Sequence, residues 1–238
     1  MPRPAKYDDT ELLDRSYELL WRDGCDAVTI RDLEAALDLK APSLYRRFRS
    51  RDELIARSVD RYVDRVVAGR IRRHLTGVDD PVAGLRSFFL SALEPVPGEP
   101  GSRGCLLTVT AGQAAWSDAG VRSAVDAGLR TVESALGRQV ARAHELGRTG
   151  PGADVDVLTT TLLTALQGLL LLARAGRTDL GPGVDQLLGA CFPVAAPVDA
   201  APPTPDPAID PIQPSTRSSH RPDLAIDPIQ PLRGPDHE

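Results

Sequence analysis

The sequence predicts an all-α fold, and three observations carry that expectation. Aromatic residues make up only 4% of the 238 positions, while Leu, Ala, Arg, Asp and Glu dominate about the first 190, a composition that favours helix over strand. No run alternates apolar and polar residues between hairpin turns, as a half-buried strand requires. Val121, Val125, Leu129, Val132, Leu136 and Val140 recur at spacings of three and four, the pattern of a helix that buries one stripe.

The elements follow in order. Leu13, Tyr17 and Leu20 give an amphipathic helix over about Thr10 to Asp23, with Gly24 as its C-terminal stop. Thr29, with Asp32 three residues on, is the N-cap of a second helix through Leu33, Ala36 and Leu37. After the break "DLKAP" a third begins with Pro42 in its first turn, where proline's missing N–H is harmless. Ser50 caps a long fourth helix that has Asp52 and Glu53 in its first turn. Longer helices follow at about Pro81 to Leu93, Cys105 to Ala115, Asp118 to Leu146, Asp154 to Ala175 and Gly183 to Phe192. From Leu162 to Leu172 the chain is apolar on nearly every side, so a partner helix is expected to cover part of it.

The last fifth of the chain changes character. More than half of the 21 prolines lie from Pro193 onward, and "AIDPIQP" occurs at both Ala208 to Pro214 and Ala225 to Pro231. Such a segment is expected to be a disordered or partly polyproline tail.

Composition also excludes classes. The three cysteines are far apart and odd in number, which fits neither a disulfide framework nor a zinc site and suits a reducing cytoplasm. The N-terminus "MPRPAKYDD" has no apolar core for a signal peptide. The most apolar stretch, "LLTALQGLLLLARA", is shorter than the roughly 20 residues of a membrane span and contains Gln167, so no membrane partner is expected. No nucleophile and base pair, phosphate-cradling glycine loop or paired carboxylates suggest an enzyme. No cofactor is called for, and the isolated His74 and His144 are not expected to bind metal.

What stands out is "LKAPSLYRRFRSRDEL", Leu39 to Leu54. It gathers four arginines and a lysine around one tyrosine in a chain of net charge -5. Two short helices joined by a tight turn, the second with polar and basic side chains, form the geometry that sets a recognition helix into a DNA major groove. Leu44 and Phe48, four apart, face the core, which leaves Ser43, Tyr45, Arg46 and Arg47 outward. A solvated surface is the bland alternative. The tyrosine among the charges, and a phosphate-ready helix start at Thr29 and Arg31, favour DNA.

The same residues resemble the N-terminal helix-turn-helix domain of the tetracycline-repressor (TetR) family of bacterial regulators. The resemblance runs without gaps from Lys6 to about Val66. It rests on Gly24, the Thr29-x-Arg31-Asp32-Leu33 helix start, Leu44-Tyr45-x-x-Phe48, and Arg51-Asp52-Glu53-Leu54. It implies a DNA-binding domain over 6–66, with the helix-turn-helix at about 29–48. A helical ligand-binding and dimerisation domain over 75–195 and the tail over 197–238 complete the expected division. Carried over position by position, operator contacts fall on Thr29, Arg31, Lys40, Pro42, Ser43, Tyr45, Arg46, Arg47 and Arg51. Three positions depart from the family pattern: Asp38 stands for the turn glycine, Glu34 for a small alanine, and Ala41 for a lysine.

In the second half the resemblance is architectural, apart from "RGCLLTVTAG", Arg103 to Gly112. Its Gly-Cys-Leu-Leu start to the sixth helix is similar to one branch of the family. The implied assembly is a homodimer through the last two helices, with Leu162, Leu166, Leu169 and Leu170 at the interface. Two recognition helices about 34 Å apart require such a dimer in any case. Ligand-pocket candidates are Phe88, Phe89, Cys105, Thr108, Gln113, Trp116 and Gln167, a mostly apolar set with a few polar groups. The function expected is a cytoplasmic repressor released from operator DNA by a small-molecule effector. An alternative makes Cys105, beside Arg103 at a helix N-terminus, a sensor of oxidants or electrophiles. A remoter one is a helical adaptor or enzyme that binds no DNA. Cys25 and Cys191 are expected in the core.

Overall fold

A computed structural model describes residues 8–96, 98–99 and 101–193, and every regular element among them is helical. The expected proline-rich tail lies outside the described residues, as do Lys6 and Tyr7 at the start of the expected DNA-binding domain.

Helix α1 spans Asp9–Asp23 and stops where expected: Gly24 has φ +89° and donates its N–H to the Leu20 carbonyl. The positive φ is what calls for glycine here; a Cβ would in addition displace the end of the Gln113 side chain, 2.5 Å away. Helix α2, Ile30–Leu37, and α3, Ala41–Phe48, follow, then α4, Arg51–Tyr62. Ser50 Oγ accepts the Glu53 N–H at 3.0 Å and caps α4. The buried faces of these helices meet through Leu12, Leu20, Leu33, Leu37, Phe48, Leu54 and Ile55. Arg61 holds Asp14 with a two-pronged ion pair at 2.7 and 2.9 Å, locking α4 to α1.

The chain continues from α4 without leaving helical geometry. A π turn at Val63–Val67 leads into α5, Ala68–His74, so one long rod joins the N-terminal helices to the rest. Helix α6, Pro81–Leu93, begins where proline and the Asp80 cap direct it. The expected helix from Cys105 to Ala115 is shorter. Helix α7 runs Leu106–Ala111, then breaks at Gly112 and resumes as a 3-10 turn at Ala114–Ser117.

Helix α8, Ala119–Glu145, is capped by Asp118, and α9, Val155–Arg174, by Asp154. Helix α10, Gly181–Cys191, closes the described chain. Of the periodic stripe on α8, Val121, Val125, Val132, Leu136 and Val140 are buried and Leu129 is half-buried. The α9 helix is 20 residues long with mean hydropathy 1.7 in its most apolar window, long and apolar enough to cross a membrane by length and composition alone. The shorter span expected from the sequence is therefore revised. One side of α9 is buried in the protomer, and Thr160, Thr161 and Thr164 lie on the other.

The end of α1 is tied to the second half of the chain. Trp21 Nε1 donates to the Gly104 carbonyl at 3.1 Å. Arg174, at the end of α9, donates to the carbonyls of Trp21 at 2.9 Å, Arg103 at 2.7 Å and Arg22 at 3.3 Å. A guanidinium presents enough N–H groups for all three, so a single side chain fastens both halves.

Candidate nucleic-acid interface

The α2–turn–α3 unit is built from local hydrogen bonds. Thr29 Oγ1 accepts the Asp32 N–H at 3.3 Å, while Asp32 Oδ2 accepts the Thr29 N–H at 2.8 Å and its hydroxyl at 2.7 Å. This reciprocal cap satisfies donors that the helix leaves open. Those bonds hold the Asp32 carboxyl below its ordinary range. Asp38 then takes the left-handed conformation, φ 50° and ψ 42°, that the turn needs, and a short polar side chain tolerates it.

Glu34 has a role that sequence reasoning missed. Its Oε1 accepts the Ala41 N–H at 2.6 Å. Lys40, the residue at the α3 N-cap, offers no side-chain acceptor, and Pro42 has no N–H. The carboxylate in place of a small alanine thus caps α3 from α2. Only the turn geometry brings the two seven positions apart, so no spacing rule signals it.

Helix α3 buries Leu44 and Phe48, at 3% and 1% exposure, and turns Tyr45 outward at 45%. Lys40, Pro42 and Arg46 are exposed beside it, Ser43 is half-buried, and Arg31 is exposed in the first turn of α2. Arg46 Nη2 rests 3.4 Å from Ser43 Oγ and makes no ion pair among the described residues. These side chains form a cationic, aromatic-bearing face that suits phosphates and base edges.

Three sequence-predicted contacts have internal partners. Arg47 pairs with Asp9 at 2.6 Å, tying α3 to the start of α1. Arg51 donates to the Cys25 carbonyl and, at 3.0 Å, to the Val28 carbonyl. It staples the α1–α2 connection, so its assignment to phosphate is revised. Its acceptors are backbone atoms more than 20 residues away, and side-chain patterns cannot register them. Thr29 is exposed, but its hydroxyl serves the cap described above. Arg49, between α3 and α4, lies 4.0 Å from Glu53. It sits at φ 52° and ψ −44° at the end of α3, with 89% of its side chain exposed, a strained position for a non-glycine residue.

The second half requires larger corrections. Leu162, Leu166 and Leu170 are buried inside the protomer at 0%, 2% and 4% exposure, and Leu169 is half-buried. Leu162, Leu166 and Leu170, expected at a dimer interface, therefore form the inner stripe of α9, while Leu169 lies at its edge. Its outer face presents Val157, Leu171 and Leu172 at 61%, 57% and 44% exposure, with Thr164 and Gly168 between them.

The pocket candidates do not converge. Phe88 and Phe89 are buried core rings 6.5 Å apart. Thr108 hydrogen-bonds Gln167 between α7 and α9. Gln113 is a latch between the two halves, its carboxamide oxygen accepting the Cys25 N–H at 2.7 Å. Half-buried Trp116 lines a shallow surface depression with Ala119 and Arg122.

Cys105 is the N-cap of α7 and is buried, with the Tyr62 hydroxyl 3.9 Å from its sulfur. Burial pushes the Tyr62 phenol well above its ordinary range. Arg103 is engaged elsewhere, donating to Glu99 and Glu18 and lying 5.2 Å over the Trp21 ring. The expected support of a thiolate by Arg103 is revised accordingly. Cys25 is buried, which raises its pKa, and Cys191 is half-buried.

Comparison with known proteins agrees with this architecture. Residues 12–57 match the family described as bacterial regulatory proteins, tetR family, and residues 81–180 match the tetracyclin repressor-like C-terminal domain. The HTH-type transcriptional repressor ComR of Escherichia coli (strain K12) is 24% identical over 174 residues, covering 73% of this chain and 83% of ComR. Among solved structures, a cysteine mutant of the TetR family transcriptional regulator CifR, complexed with 26-bp double-strand operator DNA, superposes with TM-score 0.70 at 22% identity. That match covers 79% of this chain and 99% of CifR. The reduced form of Escherichia coli NemR gives 0.64 at 19% identity, covering 76% and 94%. With a helix-turn-helix and a helical C-terminal section both matched, the chain belongs to the TetR family of bacterial transcriptional regulators.

Proposed function

We propose that the protein is a homodimeric repressor that binds operator DNA through the outer faces of α2 and α3 and is released by a small-molecule effector. The observation that carries the reading is the exposed set Arg31, Lys40, Tyr45 and Arg46 on a helix-turn-helix whose Arg47 and Arg51 are engaged inward. That ComR is named a repressor and that CifR was solved on operator DNA supports it. The direct contacts in this reading are Arg31, Lys40, Pro42, Ser43, Tyr45 and Arg46, with Arg49 added. Its domains are 6–66 for DNA and 75–195 for effector and dimer, followed by the 197–238 tail. The dimer forms through the outer face of α9, where Val157, Leu171 and Leu172 meet a second copy. A cytoplasmic location belongs to the same reading, and no catalytic role enters it.

Sensing through Cys105 is the weaker version, because the thiol is buried and Arg103 is engaged by carboxylates. The test is fluorescence anisotropy with a palindromic fragment from upstream of the protein's own gene, titrated at rising salt. An affinity that falls steeply with salt, as phosphate neutralisation requires, supports the reading. Salt-independent or absent binding contradicts it.

A further inference from the structure

We propose that the cleft between α1, α5 and the α6–α7 connection binds a small organic acid, a carboxylate on a short apolar body. This rests on the effector-released reading above and gives the effector a chemical class. The cleft has a volume of about 550 Å³ and is bounded by Trp21, Arg70, Arg73, His74, Glu94 and Arg103. That size suits a small ligand.

The charge is one-sided on the α5 wall. Arg70, Arg73 and His74 lie three and four positions apart and therefore share one face of the helix. Neither Arg70 nor Arg73 forms an ion pair among the described residues, and the one carboxylate lining the cleft is Glu94. Burial, and after it the charges of Arg73 and Arg70, lower the pKa of His74 against the opposing charge of Glu94, and its Nδ1 meets Ser87 Oγ at 2.8 Å. Two like charges one turn apart repel, and a bound carboxylate relieves that repulsion with charge-assisted hydrogen bonds.

The opposite wall differs. Arg103 is neutralised by Glu99 and Glu18, so it does not compete for the anion. Pro95 and Val96 offer apolar surface, and an edge of the otherwise buried Trp21, 8% exposed, lies beside them. An anionic head on α5 and an apolar body against Pro95, Val96 and the edge of Trp21 satisfy both walls. Trp21 belongs to α1 and anchors it to Gly104. A ligand drawn between α5 and Trp21 thus acts on the junction that sets α1 and the helix-turn-helix against the rest of the chain.

The experiment isolates Trp21 with a Trp116→Phe background, since the chain has two tryptophans. Trp21 emission is titrated with octanoate, octanol and inorganic phosphate at matched ionic strength. Octanoate is expected to bind at least about tenfold more tightly than either of the others, because only it carries both head and body. Arg70→Gln with Arg73→Gln is expected to weaken octanoate by about tenfold or more, and the Arg70→Lys, Arg73→Lys pair to bind with intermediate affinity. Circular dichroism checks that each variant is folded. Octanol matching octanoate, no response to octanoate, or indifference to the glutamine substitutions overturns the site. Phosphate matching octanoate overturns the apolar half of the claim.

Octanoate is then added to the operator complex, where release from the wild type but not from the double glutamine variant is expected. Tight octanoate binding that leaves the complex intact overturns the effector role. If no operator is bound at all, the repressor reading fails, while the Trp21 titration still decides the site.

Discussion

Helices α3 and α9 each turn one face into the protomer and leave the other uncovered by the described residues, but the two outward faces differ in kind. On α3 the outward side chains are Tyr45 and Arg46, flanked by Lys40 and Arg31. On α9 they are Val157, Leu171 and Leu172, interleaved with threonines and Gly168. A cationic face with no acidic partner suits a polyanion, and its binding should weaken as salt rises. An apolar face gains by leaving water and is nearly indifferent to salt. Burial inside a single protomer says where a face points, and the chemistry of that face says what it meets.

Replacing both Leu171 and Leu172 by Glu should have the largest effect. Two charges forced against an apolar partner surface cost about 3–5 kcal/mol, so the dimer should dissociate. The protomer should keep its helical circular dichroism, because those side chains are already in water. Light scattering that still shows a dimer would move the interface off this face. The inner stripe should respond in the opposite way. Leu166→Ala opens a cavity in the protomer and should lower its stability by about 2–5 kcal/mol, whereas Leu171→Ala should change protomer stability by less than about 0.5 kcal/mol. Denaturant unfolding at low protein concentration separates the two, and equal losses would erase the distinction between the faces.

Smaller effects sharpen the α3 side. Thr29→Ala removes the reciprocal cap and should cost about 0.5–2 kcal/mol of stability, measured by thermal unfolding. The smallest expected effect is at the lock between α1 and α4. Arg61 holds the Asp14 carboxyl below its ordinary range, chiefly through their hydrogen bond. A depressed folded pKa contributes stability above the unfolded value and loses it as pH falls through the lowered one. Asp14→Asn should therefore flatten the loss of stability in acid below the ordinary carboxylate range. An unchanged acid profile would mean that the pair contributes nothing measurable.

The same contrast explains what was legible beforehand. Caps and turns are local: Thr29, Pro42, Ser50 and Gly24 mark their helix ends because each acts on backbone within a few residues. Leu44 and Phe48 were legible as core because α3 is apolar on one side only. On α9 the signal fails for the opposite reason. Where nearly every position is apolar, periodicity cannot tell inner from outer, so Leu162, Leu166 and Leu170 were placed on the wrong face. Side chains that bond distant carbonyls, such as Arg51 and Arg174, and Glu34 acting across the turn, leave no pattern because their targets are backbone brought near by folding. The pocket set failed likewise: Gln113 and Phe89 have suitable chemistry, but tertiary packing uses one as a latch and the other as core.

The central claim is that the outer face of α3 reads DNA, and alanine at Tyr45 and at Arg46 tests it most directly. In an anisotropy titration against the operator fragment, each substitution should weaken binding by about 1–3 kcal/mol, with thermal midpoint and dimer unchanged. Operator affinity equal to wild type in both folded, dimeric variants would contradict the account.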